Sequence, residues 1–249
     1  MNSRTLLRTT PFLAGLALVF LPGLAFAQSF TLDLGDGSST TGRIVQLVLL
    51  MTVLTLAPSV LMMVTSFVRI IVVLSLLRTA IGTQQSPPNA VLTSLALFLT
   101  FFIMMPTGEI AWRDGISPLI ENRITEVQAI ERAAKPFHDF MMRHTRETDL
   151  ALFVDIAKIP APETAEATPF RVLIPAFMIS ELRRAFEIGF LLFIPFVIID
   201  MVVAAVLTSM GMIMMPPAIV SLPFKLIFFV LVDGWYLVSG SLVQSFGGG

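Results

Sequence analysis

The sequence predicts an all-α protein of membrane type: two long antiparallel helical hairpins with a small helical exterior subdomain between them. Three observations carry that reading. Hydrophobic residues make up 55% of the 249-residue chain and charged residues 13%, with a mean hydropathy of +0.87, far from the balance of a soluble domain. The apolar residues are gathered into runs long enough to cross a bilayer. Between the runs stand proline and glycine clusters that turn the chain, and one stretch of ordinary soluble composition.

Residues 1–27 read as a cleavable signal peptide. Arg4 and Arg8 supply the positive end, Pro11 to Leu24 the short apolar core, and Ala25-Phe26-Ala27 the small-x-small cleavage pattern, so the mature chain is expected to begin at Gln28. The alternative is an uncleaved first transmembrane helix; the shortness of the run and Pro22-Gly23 argue against it. Cleavage puts the mature N-terminus on the far side of a bacterial inner membrane. A polar segment, 28–42, follows. The first hairpin is expected over 43–105: one apolar segment from Ile44 to Leu77, interrupted by Pro58 and Arg69, a turn at Gly82 to Asn89 around Pro87-Pro88, and a returning segment from Ala90 to Met105.

At 106–169 acidic residues outnumber basic ones. Ile124, Val127, Ile130, Ala134, Phe137 and Met141 recur at helical spacing and predict an apolar stripe, which Pro136 is expected to break. Pro160, Pro162 and Pro169, with Glu163 and Glu166, read as a mobile linker into the second hairpin at 170–249. That hairpin comprises apolar segments from Phe170 to Met215 and from Ala218 to Phe246. With the N-terminus outside, two crossings place the acidic subdomain outside as well. Both hairpin tips, at Pro87-Pro88 and at Met210 to Pro217, then face the cytoplasm.

Several function classes are disfavoured. The net charge of −1, with no basic run beyond the first residues, provides no electrostatic footprint for nucleic acid. Cysteine is absent, which removes thiolate catalysis, disulfides and thiolate metal sites. His138 and His144 lie six residues apart, without metal-ligand spacing, and read as surface or packing residues. Neither a nucleophile with its base, nor a phosphate-cradling glycine loop, nor a hydrolase carboxylate pair stands out, so neither enzyme activity nor a metal or cofactor is expected.

Charges inside the apolar runs are the informative exceptions: Arg69, Glu181, Arg183, Arg184, Glu187, Asp200, Lys225 and Asp233. A charge in hydrocarbon costs a few kcal/mol or more unless paired or hydrated. Glu181/Arg184 at i,i+3 and Arg183/Glu187 at i,i+4 are spaced to bridge along one helix. Arg69, Asp200, Lys225 and Asp233 have no close partner in sequence and must find one on another helix, on another subunit or in water. A proton relay is the functional alternative to these structural roles.

Between the last two apolar segments runs Ser209-Met210-Gly211-Met212-Ile213-Met214-Met215-Pro216-Pro217. Gly211 permits a bend and the paired prolines stop the preceding helix. Met210, Met212, Met214 and Met215 carry unbranched, polarizable side chains that either seal a soft constriction in a pore or fill a packed helix hairpin.

These motifs line up with a known family. Thr65-Ser66-Phe67-Val68-Arg69-Ile70, Pro87-Pro88-Asn89-Ala90-Val91-Leu92 and Thr145-Arg146-Glu147-Thr148-Asp149-Leu150-Ala151-Leu152-Phe153 carry part of the match. Most specific is Ile174-Pro175-Ala176-Phe177-Met178-Ile179-Ser180-Glu181-Leu182, continued by Ala185-Phe186-Glu187-Ile188-Gly189-Phe190. Pro195 to Val202, the methionine turn, Leu222-Pro223-Phe224-Lys225-Leu226 and Val232-Asp233-Gly234-Trp235 complete it. Over nearly all of the mature chain the sequence resembles the FliP family of flagellar export-gate proteins and its relatives in type III secretion. The resemblance implies a core subunit assembled with FliQ, FliR and other export-apparatus membrane proteins, in which FliP copies, pentameric in the family, wind into a ring around a secretion pore for exported flagellar proteins. It implies an inner-membrane location at the flagellar basal body, with hairpins largely lifted out of the bilayer plane on assembly. It also implies a gasket mapping onto Met210, Met212, Met214 and Met215, with Ile213 interrupting the methionine run. The signal peptide and the terminal Gly240 to Phe246 favour a flagellar over an injectisome member. An ion- or proton-coupled transporter and a scaffold that lines no pore are the competing classes; similar sequences in the two halves, which a transporter repeat would show, are not apparent.

Overall fold

The structure is a computed structural model that describes residues 40–247 apart from 84, 161 and 163. The expected signal peptide, most of the polar segment after it, and Glu163 lie outside the described residues. The chain divides into two units, 1–51 and 52–249. In the first, the described residues belong to α1 (Thr40–Met63), which continues into the second unit.

The second unit is helical wherever regular structure is described. α2 (Phe67–Ile81) and α3 (Asn89–Ala111) form an antiparallel pair, and α3 passes through a π-helical turn, Trp112–Ile116, into the short α4 (Ser117–Ile120). α5 (Glu126–His144) and α6 (Glu147–Ala157) follow, then a 3-10 turn at Ala165–Ala167. The 40-residue α7 (Phe170–Ser209) comes next, and α8 (Pro217–Leu231) and α9 (Gly234–Gly247) close the chain.

α2 is the hub. Its sequence is apolar almost all round, yet Ile70, Val73, Leu74, Leu77, Ala80 and Ile81 are buried on one i, i+3, i+4, i+7 stripe, wedged between α3 and α7. Leu92, Ala96 and Leu99 of α3 face that stripe, with Ala185 and Phe196 of α7, Phe229 of α8, and Val238 and Leu242 of α9. α2 ends where Gly82 adopts φ +88° and donates its N–H to the Thr79 carbonyl, a left-handed cap that a residue with a Cβ adopts only under strain. A second cluster joins Val64, Met104, Phe140, Met141, Leu173 and Phe177 near the N-terminal end of α7.

Four local expectations change. The segment from Ile44 to Leu77 breaks at Val64–Ser66, while Pro58 is accommodated inside α1 and Arg69 falls in the first turn of α2. Pro136 does not break α5: the ring removes one backbone hydrogen bond, but the helix is anchored by a Thr125/Gln128 capping box and by Phe140 and Met141 in the core. The stripe on α5 is only half a core face. Phe137 and Met141 pack inward, whereas Val127 and Ile130 are 75% and 70% exposed. The last apolar segment is two helices, bent by 62° at Val232–Asp233, where Asp233 takes φ +50° and the Phe229 ring lies against the Cα of Gly234.

α3 with its continuation, Asn89–Ile120, and α7 are long and apolar enough to cross a membrane; the bent pair α8–α9 meets the same test as one broken span. At a rise of 1.5 Å per residue, α7 is about 60 Å long, roughly twice the hydrocarbon thickness. It is correspondingly two-natured. From Val172 to Gly189 it is studded with buried residues, whereas beyond Phe190 only Phe196 and Leu207 are buried, and Phe190, Leu191, Ile198, Met201 and Val202 are exposed.

The π-helical turn brings Gly115 against α5 so closely that an added Cβ would lie 2.8 Å from the backbone nitrogen of Ala133 and 2.9 Å from the carbonyl oxygen of Ala129. Because those atoms are backbone, Gly115→Ala is expected to destabilise the protein by about 1–3 kcal/mol. Gly108→Ala, with open space around it, serves as the neutral control in detergent thermal unfolding. Equal melting temperatures for the two variants would contradict the close approach.

Candidate functional site

The buried charges organise the molecule first. Arg69, on the first turn of α2, is 3% exposed and Glu181, in the N-terminal third of α7, is fully buried. The Arg69 Nε donates to Glu181 Oε2 at 2.9 Å and Nη2 pairs with Oε1, a bidentate clasp. The third nitrogen, Nη1, donates to the Ser245 carbonyl at 3.1 Å and to its Oγ at 3.0 Å, and the guanidinium lies 3.7 Å from the centre of the Phe246 ring. One cation thus joins α2, α7 and α9. The carboxylate that sequence spacing assigned to Arg184 therefore turns the other way, across to α2. Glu187 takes both exposed arginines instead, Arg183 at 3.0 Å and Arg184 at 3.3 Å.

A neighbouring network ties α6 to α7. Arg146 holds Asp149 through Nε and Nη2 at 2.8 and 2.7 Å, Ser180 Oγ donates to Asp149 Oδ2 at 2.6 Å, and the Arg146 backbone N–H donates to Ser180 Oγ at 3.1 Å. Burial pushes the Asp149 carboxyl up, but the hydrogen bonds from Ser180 and Arg146 outweigh it and hold the group below its ordinary value. Sequence reasoning missed this site. Its one legible signal was the pairing of an Arg-x-x-Asp at a helix start with a serine beside the conspicuous Glu181.

At the opposite end of α7, Asp200 accepts from Lys225 Nζ at 2.6 Å and from Ser221 Oγ at 2.5 Å, while Lys225 also donates to the Ala80 carbonyl at 3.3 Å. Lys225 is buried and Asp200 partly so, and the pair fastens α8 to α7 and to the end of α2. Asp233 is different. It is exposed at the α8–α9 bend, and among the described residues its side chain has no hydrogen bond or ion pair. The two histidines sit in packing contacts: His138 Nε2 is 2.8 Å from the Thr168 carbonyl oxygen, and His144 lies between the rings of Phe140 and Phe246.

The methionine turn caps α7. Gly211 adopts φ +76°, Met212 donates its N–H to the Leu207 carbonyl at 2.9 Å, and Pro217 opens α8 at a position where its missing N–H is not needed. The four methionines then divide. Met210 and Met212 line an apolar groove of about 600 Å³ with Val202, Val206 and Phe224 of α7 and α8. Met214 projects clear of the protein at 99% exposure, with Ile213 beside it at 80%, and Met215 is less exposed.

An all-α architecture, helices long and apolar enough to cross a membrane, and charges neutralised in pairs between helices define the class: an α-helical protein of membrane type. The FliP family model matches residues 50–242. The flagellar biosynthetic protein FliP of Caulobacter vibrioides is 63% identical over 235 residues, covering 94% of this chain and 88% of its own length. That of Bacillus subtilis is 54% identical over 202 residues, 81% of this chain and 91% of its own, and that of Agrobacterium fabrum is 50% identical over 234 residues, 92% and 96%. The chain belongs to the FliP family and is a flagellar biosynthesis protein of the type III export class.

Removing one partner of the Arg69–Glu181 clasp leaves a buried charge without its counterion, so Arg69→Met is expected to cost about 3–5 kcal/mol. The double variant Arg69→Met/Glu181→Leu should recover most of that loss in detergent unfolding; a double variant as unstable as the sum of the singles would show that the two do not act as a pair.

Desolvation, reinforced by the positive charges of Arg69, Arg143 and Arg184, pulls His144 down from 6.5 to about 4. Between those values the unfolded chain takes up a proton that the folded chain declines. Stability is therefore complete above pH 6.5, falls as the pH drops towards 4, and loses nothing further to this group below that. His144→Leu should flatten the melting temperature across this window, and an unchanged slope would assign the acid sensitivity to other groups.

Proposed function

We propose that this chain is a pore-forming subunit of the flagellar protein export gate in the bacterial inner membrane, working as a passive conduit and not as an enzyme. Several copies, five by analogy with the family, wind around a pore together with FliQ and FliR, and unfolded flagellar proteins pass through it. The signal peptide is removed, residues 106–169 lie on the exterior side and help neighbouring copies pack, and the methionine turn closes the pore.

The observation that carries this reading is the join between the outer half of α7 and its tip. The helix leaves a long, unburied apolar surface, and it delivers Ile213 and Met214 almost completely exposed at a glycine-proline bend. Apolar side chains left this exposed by the described residues, Met214 flexible among them, suit a seal made against copies of themselves, which excludes water when closed and yields when a polypeptide enters. The internal pairing of Arg69, Glu181, Asp200 and Lys225 supports a structural role for them over a proton relay, since none is left lining an open path within the subunit.

Replacing Met210, Met212, Met214 and Met215 together by Ala is expected to leave assembly intact and to raise the leak of ions and small solutes through the inner membrane. Conductance, or uptake of a small dye in cells producing the variant, measures it. An unchanged barrier around a normally assembled complex would make the methionines packing residues.

A further inference from the structure

Among the exposed apolar surfaces of the described residues, two carry a single unmatched charge each, and the charges are of opposite sign. On α3, Val91, Phe98, Phe101 and Met105 are exposed with Ser94 among them. They follow one another at the alternating three- and four-residue step of a seam that packs against another helix. α3 has no charge before Glu109, near its far end, so the charge at the start of this surface is Arg78 of α2. Arg78 is half-buried and donates to the Pro87 carbonyl at 3.2 Å and to Asn89 Oδ1 at 2.6 Å. Both acceptors are neutral, and among the described residues no carboxylate pairs with it.

The second surface lies at the α8–α9 bend, where Val230, Leu231, Tyr236 and Leu237 are exposed around Asp233. α9 has no charged residue, and the one charge of α8, Lys225, is held by Asp200. Asp233 is thus the only charge on its surface. One turn on, a Cβ added at Gly240 would meet nothing within 4 Å, which leaves room for another helix to approach. The two charges also stand at similar heights. Ser245 is bonded to Arg69, and Asp233 lies about 18 Å from it along α9, while Arg78 lies about 14 Å from Arg69 along α2. The directions agree, because Asp233 adjoins α8, whose Lys225 reaches the Ala80 carbonyl at the same end of α2 as Arg78. The other exposed cations of the apolar helices fit less well. Arg183 and Arg184 already share Glu187, and Arg171 is in the first turn of α7, on the other side of the Arg69–Glu181 clasp.

We infer that the chain binds a second copy of itself head to tail, the α8–α9 surface of one copy lying on the α2–α3 surface of the next, with Asp233 paired to Arg78 of that copy and Tyr236 and Leu237 set against the seam between Val91 and Phe98. This deepens the proposed gate function and rests on the ring of copies given there. Charge complementarity selects the occupant: two α8–α9 surfaces face to face would set carboxylate against carboxylate, whereas the two different surfaces cancel each other's charge. A contact between unlike surfaces leaves one of each kind free at the ends, so it propagates from copy to copy and closes where the rotation allows. Groups that meet around such a ring lie at similar heights, and the difference of about 4 Å between Arg78 and Asp233 is within the reach of an arginine side chain.

The test uses the full chain, co-produced with FliQ and FliR and extracted in detergent. The chain has no cysteine, so Val91→Cys and Tyr236→Cys place one thiol on each surface; both positions are exposed and helical, and neither variant alters the two charges. Chains carrying one thiol or the other are produced together under different tags and treated with a flexible bismaleimide, which spans more than a disulfide can. A covalent dimer bearing both tags is expected, and neither variant produced alone should give one. In parallel, Asp233→Arg and Arg78→Asp should each lower the fraction of multi-copy complex about tenfold by native mass, and the double variant should recover most of it. Circular dichroism checks that these chains fold. Because the cysteine variants keep Asp233 and Arg78, their result stands even where a charge variant does not fold.

A complex that assembles normally without yielding the two-tag dimer overturns the inference. So does a dimer from either cysteine variant alone, which would put like surfaces together, and so does capture of FliQ or FliR by the Tyr236→Cys chain in place of a second copy. Folded single charge variants that assemble as well as the unchanged chain, or a folded double variant no better than the singles, overturn it as well. The native mass of the unchanged chain separates this from the reading beneath it: a chain that forms a multi-copy complex but fails these tests loses only the contact, whereas one that forms no such complex loses the gate role and the contact with it.

Discussion

The clasp between Arg69 and Glu181 is the constraint on which the rest of the packing depends. Where helices meet in a lipid-like surrounding, a leucine gains little by touching another leucine in place of an acyl chain, so apolar contacts alone discriminate weakly between registers. A buried guanidinium and carboxylate discriminate strongly, because any register that separates them strands two charges. α2 and α7 are therefore locked at one rotation. The Ile70–Ile81 stripe then meets Ala185, and the small Gly189 meets Leu76.

From that lock the other sites follow in space. Ser180, one residue before Glu181, reaches Asp149 and so draws α6 onto α7. The free nitrogen of Arg69 takes Ser245 and sets Phe246 beside His144, which closes α9 over the Phe140–Phe177 cluster and keeps the imidazole neutral. At the far end the Asp200–Lys225–Ser221 group repeats the device, fixing α8 against α7 one helical stretch before the methionine turn. Rigid fastening on both sides of a turn whose own side chains touch little suits a flexible element carried on a stiff frame.

Much of this was legible in the sequence for physical reasons. Runs of apolar residues with proline-bearing turns can satisfy their backbone in a membrane only as helices, so the all-α class followed from composition and punctuation. Arg69, Asp200 and Lys225 stood out because a charge in an apolar run is costly. What sequence spacing missed was direction. Glu181 had a cation three residues away and chose one 112 residues away, because its side of α7 faces α2, and nothing local encodes which side is inward. Pro136 and Pro106 stayed inside helices because the loss of one backbone hydrogen bond is small beside the packing that holds the rest. Val127 and Ile130 show the converse: the first half of a periodic apolar stripe on α5 is left mostly exposed among the described residues.

The sequence by itself determined that the protein is helical and apolar, that it turns at the 82–89 and 209–217 segments, and that its motifs are those of the FliP family. The tertiary structure alone decided which charges meet, where the last apolar segment bends, and which of the four methionines pack and which stand free. The reason is one of range. Helix formation, chain reversal and the cost of burying a charge are settled within a few residues, whereas the partner that removes that cost is chosen only when distant helices come together.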